Sequence, residues 1–214
     1  MSPSRSSDTR EKMLEVAETR FAQKGYDGAH LESIASEVGV RKTALYYYFD
    51  SKEALYIAVL ERMLIQFEQT ISSVFESDAP LAEQAVHLSD AINDLLAEHP
   101  NYSQILIRIF VDRVAVDTVR MIPIIERVVG AVIRFHHRGV AEGAFRKVSS
   151  RHFFTSVLGM AIFHYAGGPF TAAVMGVDDI FTHTAVAWRR KEYRRLLLAG
   201  VLSDPDDTGD GERK

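Results

Sequence analysis

The chain has 214 residues, 47% of them hydrophobic, which fits a globular protein of one large or two small domains with a filled core. It has no Cys, which excludes disulfides and cysteine-ligated metal and fits a reducing compartment. The net charge is −4, yet residues 1–52 hold eight Lys/Arg and eight Asp/Glu, so that region is neutral and the acidic excess lies beyond it. Non-specific affinity for a polyanion is therefore expected to be modest and strongly salt-dependent.

Residues 1–7, MSPSRSS, lack the apolar run of a signal peptide and read as a disordered arm, consistent with a cytoplasmic location. Asp8 and Glu11 are spaced as a capping pair. Met13, Leu14, Ala17 and Phe21 make the apolar stripe of a first helix that ends before Gly25. From Leu31 to Leu55 come two short apolar-periodic segments with a glycine between them. Ile34, Ala35 and Val38 give a helix of about two turns, Gly39 can take the left-handed conformation that ends it, and Val40 plugs the turn.

The next short helix runs over about 41–48, and advancing each residue by about 100° sets its orientation. With Leu45 and Phe49 inward, Thr43 and Tyr47 point outward, Tyr46 lies on one flank, and Ala44 and Tyr48 on the other. Arg41 and Lys42 stand at its N-terminal end, where a recognition helix meets base edges. A face of cations, a hydroxyl and tyrosines suits a phosphate-lined groove, so Arg41, Lys42, Thr43, Tyr46, Tyr47 and Tyr48 are candidate DNA contacts. Asp50 and Glu53 are spaced as N-cap and N3 of the following helix. Lys52 falls in its first turn, where the ammonium and backbone N–H groups can hold one phosphate as a backbone clamp. A purely structural helix-turn-helix inside an enzyme or adaptor is the blander reading, and the three tyrosines and Lys52 weigh against it.

Over residues 9–58 the chain resembles the TetR family of bacterial repressors. Phe21, Gly25, Tyr26, Ile34, Ala35, Gly39, Val40, Leu45, Tyr46, Tyr48, Phe49, Ser51, Lys52, Glu53 and Leu55 stand at that family's offsets. It departs at His30, where a small hydroxyl residue usually caps the second helix, and at Arg41 and Thr43 at the start of the third. The resemblance implies an all-α fold. A helix-turn-helix DNA-binding domain of three helices would fill 8–54, a helical ligand-binding and dimerisation domain 55–202, and a disordered acidic tail 203–214. It further implies a ligand-responsive transcriptional repressor that binds a palindromic double-stranded operator as a homodimer and is released by a small lipophilic effector.

Beyond Phe49, a long helix from Ser51 to about Glu76 carries Leu55, Val59, Met63, Phe67, Ile71 and Phe75 at four-residue spacing. Three helical segments follow: Leu81–Glu98, Tyr102–Ala115 and Thr118–Glu142, the last bent or started by Pro123 and apolar enough to be buried on most sides. Gly143–Val148 is a link whose Gly-x-Phe-Arg resembles the family's entry to its next helix. Ser149–Ala166 and Ala185–Ala199 close the fold, for about nine helices and no strand. From His152 to Val177 there is no charged side chain, long enough to span a bilayer, but Gly167-Gly168-Pro169 interrupts it, so a buried helix plus loop is expected, with no membrane partner. The basic run Trp188–Arg195 is expected to be the solvated side of a helix whose other side is Trp188, Leu196 and Leu197.

By the resemblance, the last two helices pair into a four-helix dimer interface, and a pocket lies among the helices starting near Ser51, Leu81, Asn101, Thr118 and Ser149. Helical phase then suggests Phe67, His87, Phe110, Met121, His137 and His164 as pocket residues, each of which could equally be core. Eight histidines without a pair four apart argue against a metal site, and no cofactor is expected. The alternative, a helical enzyme or carrier of a lipophilic metabolite with a DNA-binding appendage, needs a nucleophile–base pair or a metal-ligand set. The sequence offers neither, so no enzyme is expected.

Overall fold

A computed structural model describes residues 3–112, 119 and 121–203, with the side chains of 3–6 and 110 outside that description. The described residues form ten helices and no strand: α1 (Pro3–Gly28), α2 (Leu31–Val38), α3 (Lys42–Tyr48), α4 (Lys52–Phe75), α5 (Leu81–Glu98), α6 (Pro100–Val111), α7 (Ile122–Ala141), α8 (Ser150–Ala166), α9 (Gly168–Met175) and α10 (His183–Val201).

The arm expected over residues 1–7 is helical from Pro3, a residue whose fixed φ suits a helix start, so Asp8 and Glu11 sit inside α1 rather than capping it. The helix breaks at Gly25, where φ is 70°. That backbone angle favours glycine, and a Cβ there, 2.7 Å from Asp112 Oδ2 and 3.0 Å from Arg108 Nη1, would push both side-chain ends aside. Met13, Leu14, Ala17 and Phe21 are buried against Ile34, Ala35 and Val38 of α2, Leu45 of α3 and Leu55 of α4, the apolar sets that the spacing predicts.

α4 is 24 residues long, close to 36 Å. Its stripe Leu55, Val59, Met63, Phe67 and Ile71 is buried throughout, first against α1 and then against α5 and α7. Phe75, at its end, stacks on Phe135 of α7 with ring centroids 4.4 Å apart. The helix thus belongs to both halves of the molecule.

α7 corrects an expectation. It is not buried on most sides: among its apolar residues Val128 and Phe135 are buried, while Ile122 and Ile125 are exposed. Much of the rest of its apolar surface borders an internal cavity, which calls for apolar side chains without close packing. The uncharged stretch after His152 forms α8 and then α9 at a bend of 93°, so a helix stands where only a loop was expected. No single helix among the described residues is long and apolar enough to cross a membrane.

α10 also reverses its expected sides. Arg190 and Arg194 turn inward onto Asp94 and Asp90 of α5, with Arg190 Nη2 2.6 Å from Asp94 Oδ1, and Arg189 donates to the Met160 carbonyl at 2.7 Å. Leu197 is buried as predicted, but Trp188 is 60% and Leu196 55% exposed. An isolated antiparallel bridge between Phe145 and Leu202 then ties the end of the chain to the α7–α8 link, with Arg146 N donating to Val201 O at 2.8 Å.

Candidate nucleic-acid interface and cavity

Gly39, at φ 83°, closes α2 in the left-handed conformation, and the Val40 N–H then returns to Ala35 O at 2.9 Å. His30 precedes α2 without a side-chain capping bond. This tight turn points α3 outward. Leu45 and Phe49 anchor it to the core, leaving Arg41, Lys42, Thr43, Tyr46 and Tyr47 exposed, Tyr47 at 82%. Tyr48 is half-buried and meets Tyr47 edge to face at 5.2 Å.

Two of the candidate cations have partners. Lys42 pairs with Glu32 of α2, and this hydrogen bond holds the Glu32 carboxyl below its usual range. Lys52 Nζ donates to the Asp27 carbonyl at 3.1 Å and lies 4.8 Å from the centre of the Tyr26 ring. The N-cap of α4 is Ser51, whose hydroxyl accepts from Ala54 N at 3.0 Å, and not Asp50 as its spacing from Glu53 suggested. A shorter side chain one residue later reaches the first-turn N–H directly.

The second candidate region is a cavity of about 400 Å³ lined by α4, α5, α6, α7, α8 and α10 and partly open to solvent, where the exposed Ile109 and Ile125 border it. Phe67 and Met121 line it. His87 and His137 do not: both are exposed, and His87 faces Glu83 at 3.7 Å. His164 is buried away from the cavity, beside Arg189, and burial pushes its pKa down to about 4. The Phe110 side chain lies outside the described residues. What helical phase missed is His136, one position before the expected His137 and in line with Val128 and Val132 at four-residue spacing, all three in the lining. That spacing was readable. Ser150 also lines the cavity, and its Oγ is 2.8 Å from His136 Nδ1.

Between the two regions lies a polar junction. Arg108 of α6 donates from Nε to Ala22 O at 2.8 Å and from Nη2 to Gln23 O at 2.9 Å, taking carbonyls just before the break at Gly25. Asn101 Nδ2 donates to Glu18 Oε1 at 3.1 Å, and Arg62 Nη2 of α4 donates to Glu18 Oε2 at 2.6 Å. Leu106 and Ile109, on the same helix as Arg108, line the cavity.

The family model described as bacterial regulatory proteins, tetR family, matches residues 13–59. The transcriptional regulator RutR of Escherichia coli (strain K12) is 49% identical over 70 residues, 33% of this chain and 33% of RutR, so the match spans about a third of the length of such curated relatives. Solved structures extend the likeness over nearly the whole chain. The fatty acid degradation regulator FadR from Bacillus halodurans superposes with a TM-score of 0.68 at 17% identity, covering 89% of this chain and 98% of that one. The ketosteroid transcriptional regulator KstR2 of Mycobacterium tuberculosis gives 0.70 at 21% identity, covering 95% and 98%. At such identities these two speak for the fold, while the sequence match speaks for the helix-turn-helix. Residues 13–59, with that turn and its outward helix, thus match the tetR family of bacterial regulatory proteins, and nearly the whole chain shares the fold of these two regulators.

Proposed function

We propose that the chain is a transcriptional repressor that binds a palindromic operator as a homodimer and leaves it when a small lipophilic effector fills the cavity. The observation that carries this reading is that α4 and α6, which line an apolar cavity, also pack on α1, the helix that braces the outward helix of cations, a hydroxyl and tyrosines. A packed helix moves as a unit, so a shift at the cavity end displaces the reading head at the other. The test is a gel-shift on the promoter region beside the protein's own gene, repeated with apolar compounds. A cavity ligand should release the DNA, and failure to bind any such promoter would refute the reading.

In this reading Lys42, Thr43 and Tyr47 meet bases, with Arg41, Tyr46 and Tyr48 alongside, while Lys52 exchanges the Asp27 carbonyl for a phosphate. Tyr47→Ala is expected to change which operator positions tolerate mutation, at about 1–3 kcal/mol for each base pairing that the side chain makes. Lys52→Ala should weaken all sequences alike and flatten the salt dependence by about one unit per subunit. Anisotropy titrations against a panel of operator variants separate the two, and a sequence-specific loss from Lys52→Ala would contradict its assignment.

The dimer face in this reading is built by α8 and α10, where Phe163, Trp188 and Leu196 stand in water while the arginines of α10 face inward. An apolar residue turned out beside a cation turned in suits a surface that is covered in use. Trp188→Glu should convert a dimer to monomers in sedimentation velocity and reduce operator affinity to that of a half-site. A variant that sediments as the parent does would move the interface elsewhere.

A further inference from the structure

Among the described residues, the cavity lining holds no Lys, Arg, Asp or Glu. Its polar side chains are few, and most are already committed. Ser89 donates to the Val86 carbonyl at 2.9 Å, and Tyr193 to the Val157 carbonyl at 3.4 Å. His136 is different. Its ring is sandwiched by Phe145 and Phe153, with centroids 6.1 and 5.8 Å away, and Ser150 Oγ engages Nδ1. Its Nε2 is sealed from solvent and has no hydrogen-bond partner among the described residues. Buried polar atoms are nearly always paired, because leaving one unpaired forfeits its hydration. The Arg146 carbonyl also acts on the ring, but no described group pairs with this atom, and a ligand oxygen that shifts the lining beside the ring would.

We propose that the effector is an uncharged, mostly hydrocarbon molecule with a single hydroxyl or carbonyl oxygen, and that this oxygen hydrogen-bonds Nε2 of His136 while Ser150 fixes the ring. The inference rests on the cavity being the effector site. Burial, with a smaller contribution from His137, holds the imidazole below its ordinary pKa against the opposing effect of the Arg146 carbonyl, so near neutral pH it carries no charge to pair with an anionic head. Arg134 and Arg138 lie beyond Phe135, in a separate opening toward the outside. A charged head inside the cavity would be desolvated with no counter-charge among the described lining residues, which costs far more than burying one paired hydroxyl.

Octane, octanol and octanoate serve as probes, titrated calorimetrically into the full chain and into His136→Phe and Ser150→Ala. Octanol is expected to bind the parent about tenfold more tightly than His136→Phe, the worth of one hydrogen bond to a buried group, while octane binds both alike. Octanoate at neutral pH should bind the parent more weakly than octanol. In nitrogen NMR of the intact protein, the His136 Nε2 resonance should move with octanol and stay with octane, which decides the matter even if the substitution impairs folding. Ser150→Ala should reduce the preference for octanol over octane without removing octane binding. Equal loss of both probes in His136→Phe, an unmoved resonance, or octanoate as the tightest ligand would overturn the assignment of His136 alone. If none of the three enters the cavity, the effector site itself falls.

Discussion

Glu18→Ala is expected to destabilise the protein by about 3 kcal/mol, read as a lowered midpoint of chemical denaturation, because it breaks a buried ion pair from one side. Glu18 is only 8% exposed, and its two carboxylate oxygens accept from Arg62 and Asn101. Without it, the Arg62 side chain, itself 21% exposed, keeps only Glu11, whose side chain is 52% exposed and screened by water. The control is therefore Glu11→Ala, which removes the same kind of bond at the surface and should cost less than about 1 kcal/mol. Equal costs for the two substitutions would mean that the junction between α1, α4 and α6 is not what holds them together.

Acid should have an effect of similar size through one histidine. Burial, with a smaller contribution from Arg189, pushes His164 down from 6.5 to about 4. The unfolded chain therefore takes up the proton first as the pH falls. The stabilisation is complete above pH 6.5 and is lost as the pH falls to about 4, by up to about 3 kcal/mol. His136, lowered in the same direction by burial, adds to the slope. Denaturation midpoints measured across that window should fall steeply for the parent and less steeply for His164→Gln. Parallel slopes for the two proteins would show that His164 charges as readily folded as unfolded.

The DNA-binding end was legible because its signals are local. Gly39, the spacing of Ile34, Ala35 and Val38, and the pair Leu45 and Phe49 each fix a turn or a phase within a few residues, and the structure places all of them as the spacing predicts. Elements with one dominant stripe also read well, as α4 and α5 did. The cavity did not. A side chain facing an internal void and one packed in a core are both apolar, so α7 read as a buried helix, and of two adjacent histidines the outer was chosen. α10 failed for a related reason: its arginines find carboxylates on α5, about a hundred positions earlier, and no local pattern reports such a partner. The bend that creates α9 lay at glycines and a proline that a linear reading takes as an end, not a corner.

Arg108, Asn101 and Arg62 lie in the second half of the fold but grip the backbone and side chains of α1. Their position has a consequence for engineering hybrids. A chimera cut after residue 54, with the helix-turn-helix of this chain on the helical remainder of another regulator, would retain every residue in or near the outward helix α3. It would still leave the carbonyls of Ala22 and Gln23 and the carboxylate of Glu18 without their donors. Such a hybrid should recognise the right sequence yet respond sluggishly to its inducer. The transplant that works would carry these three side chains along, planted on the acceptor's equivalents of α4 and α6.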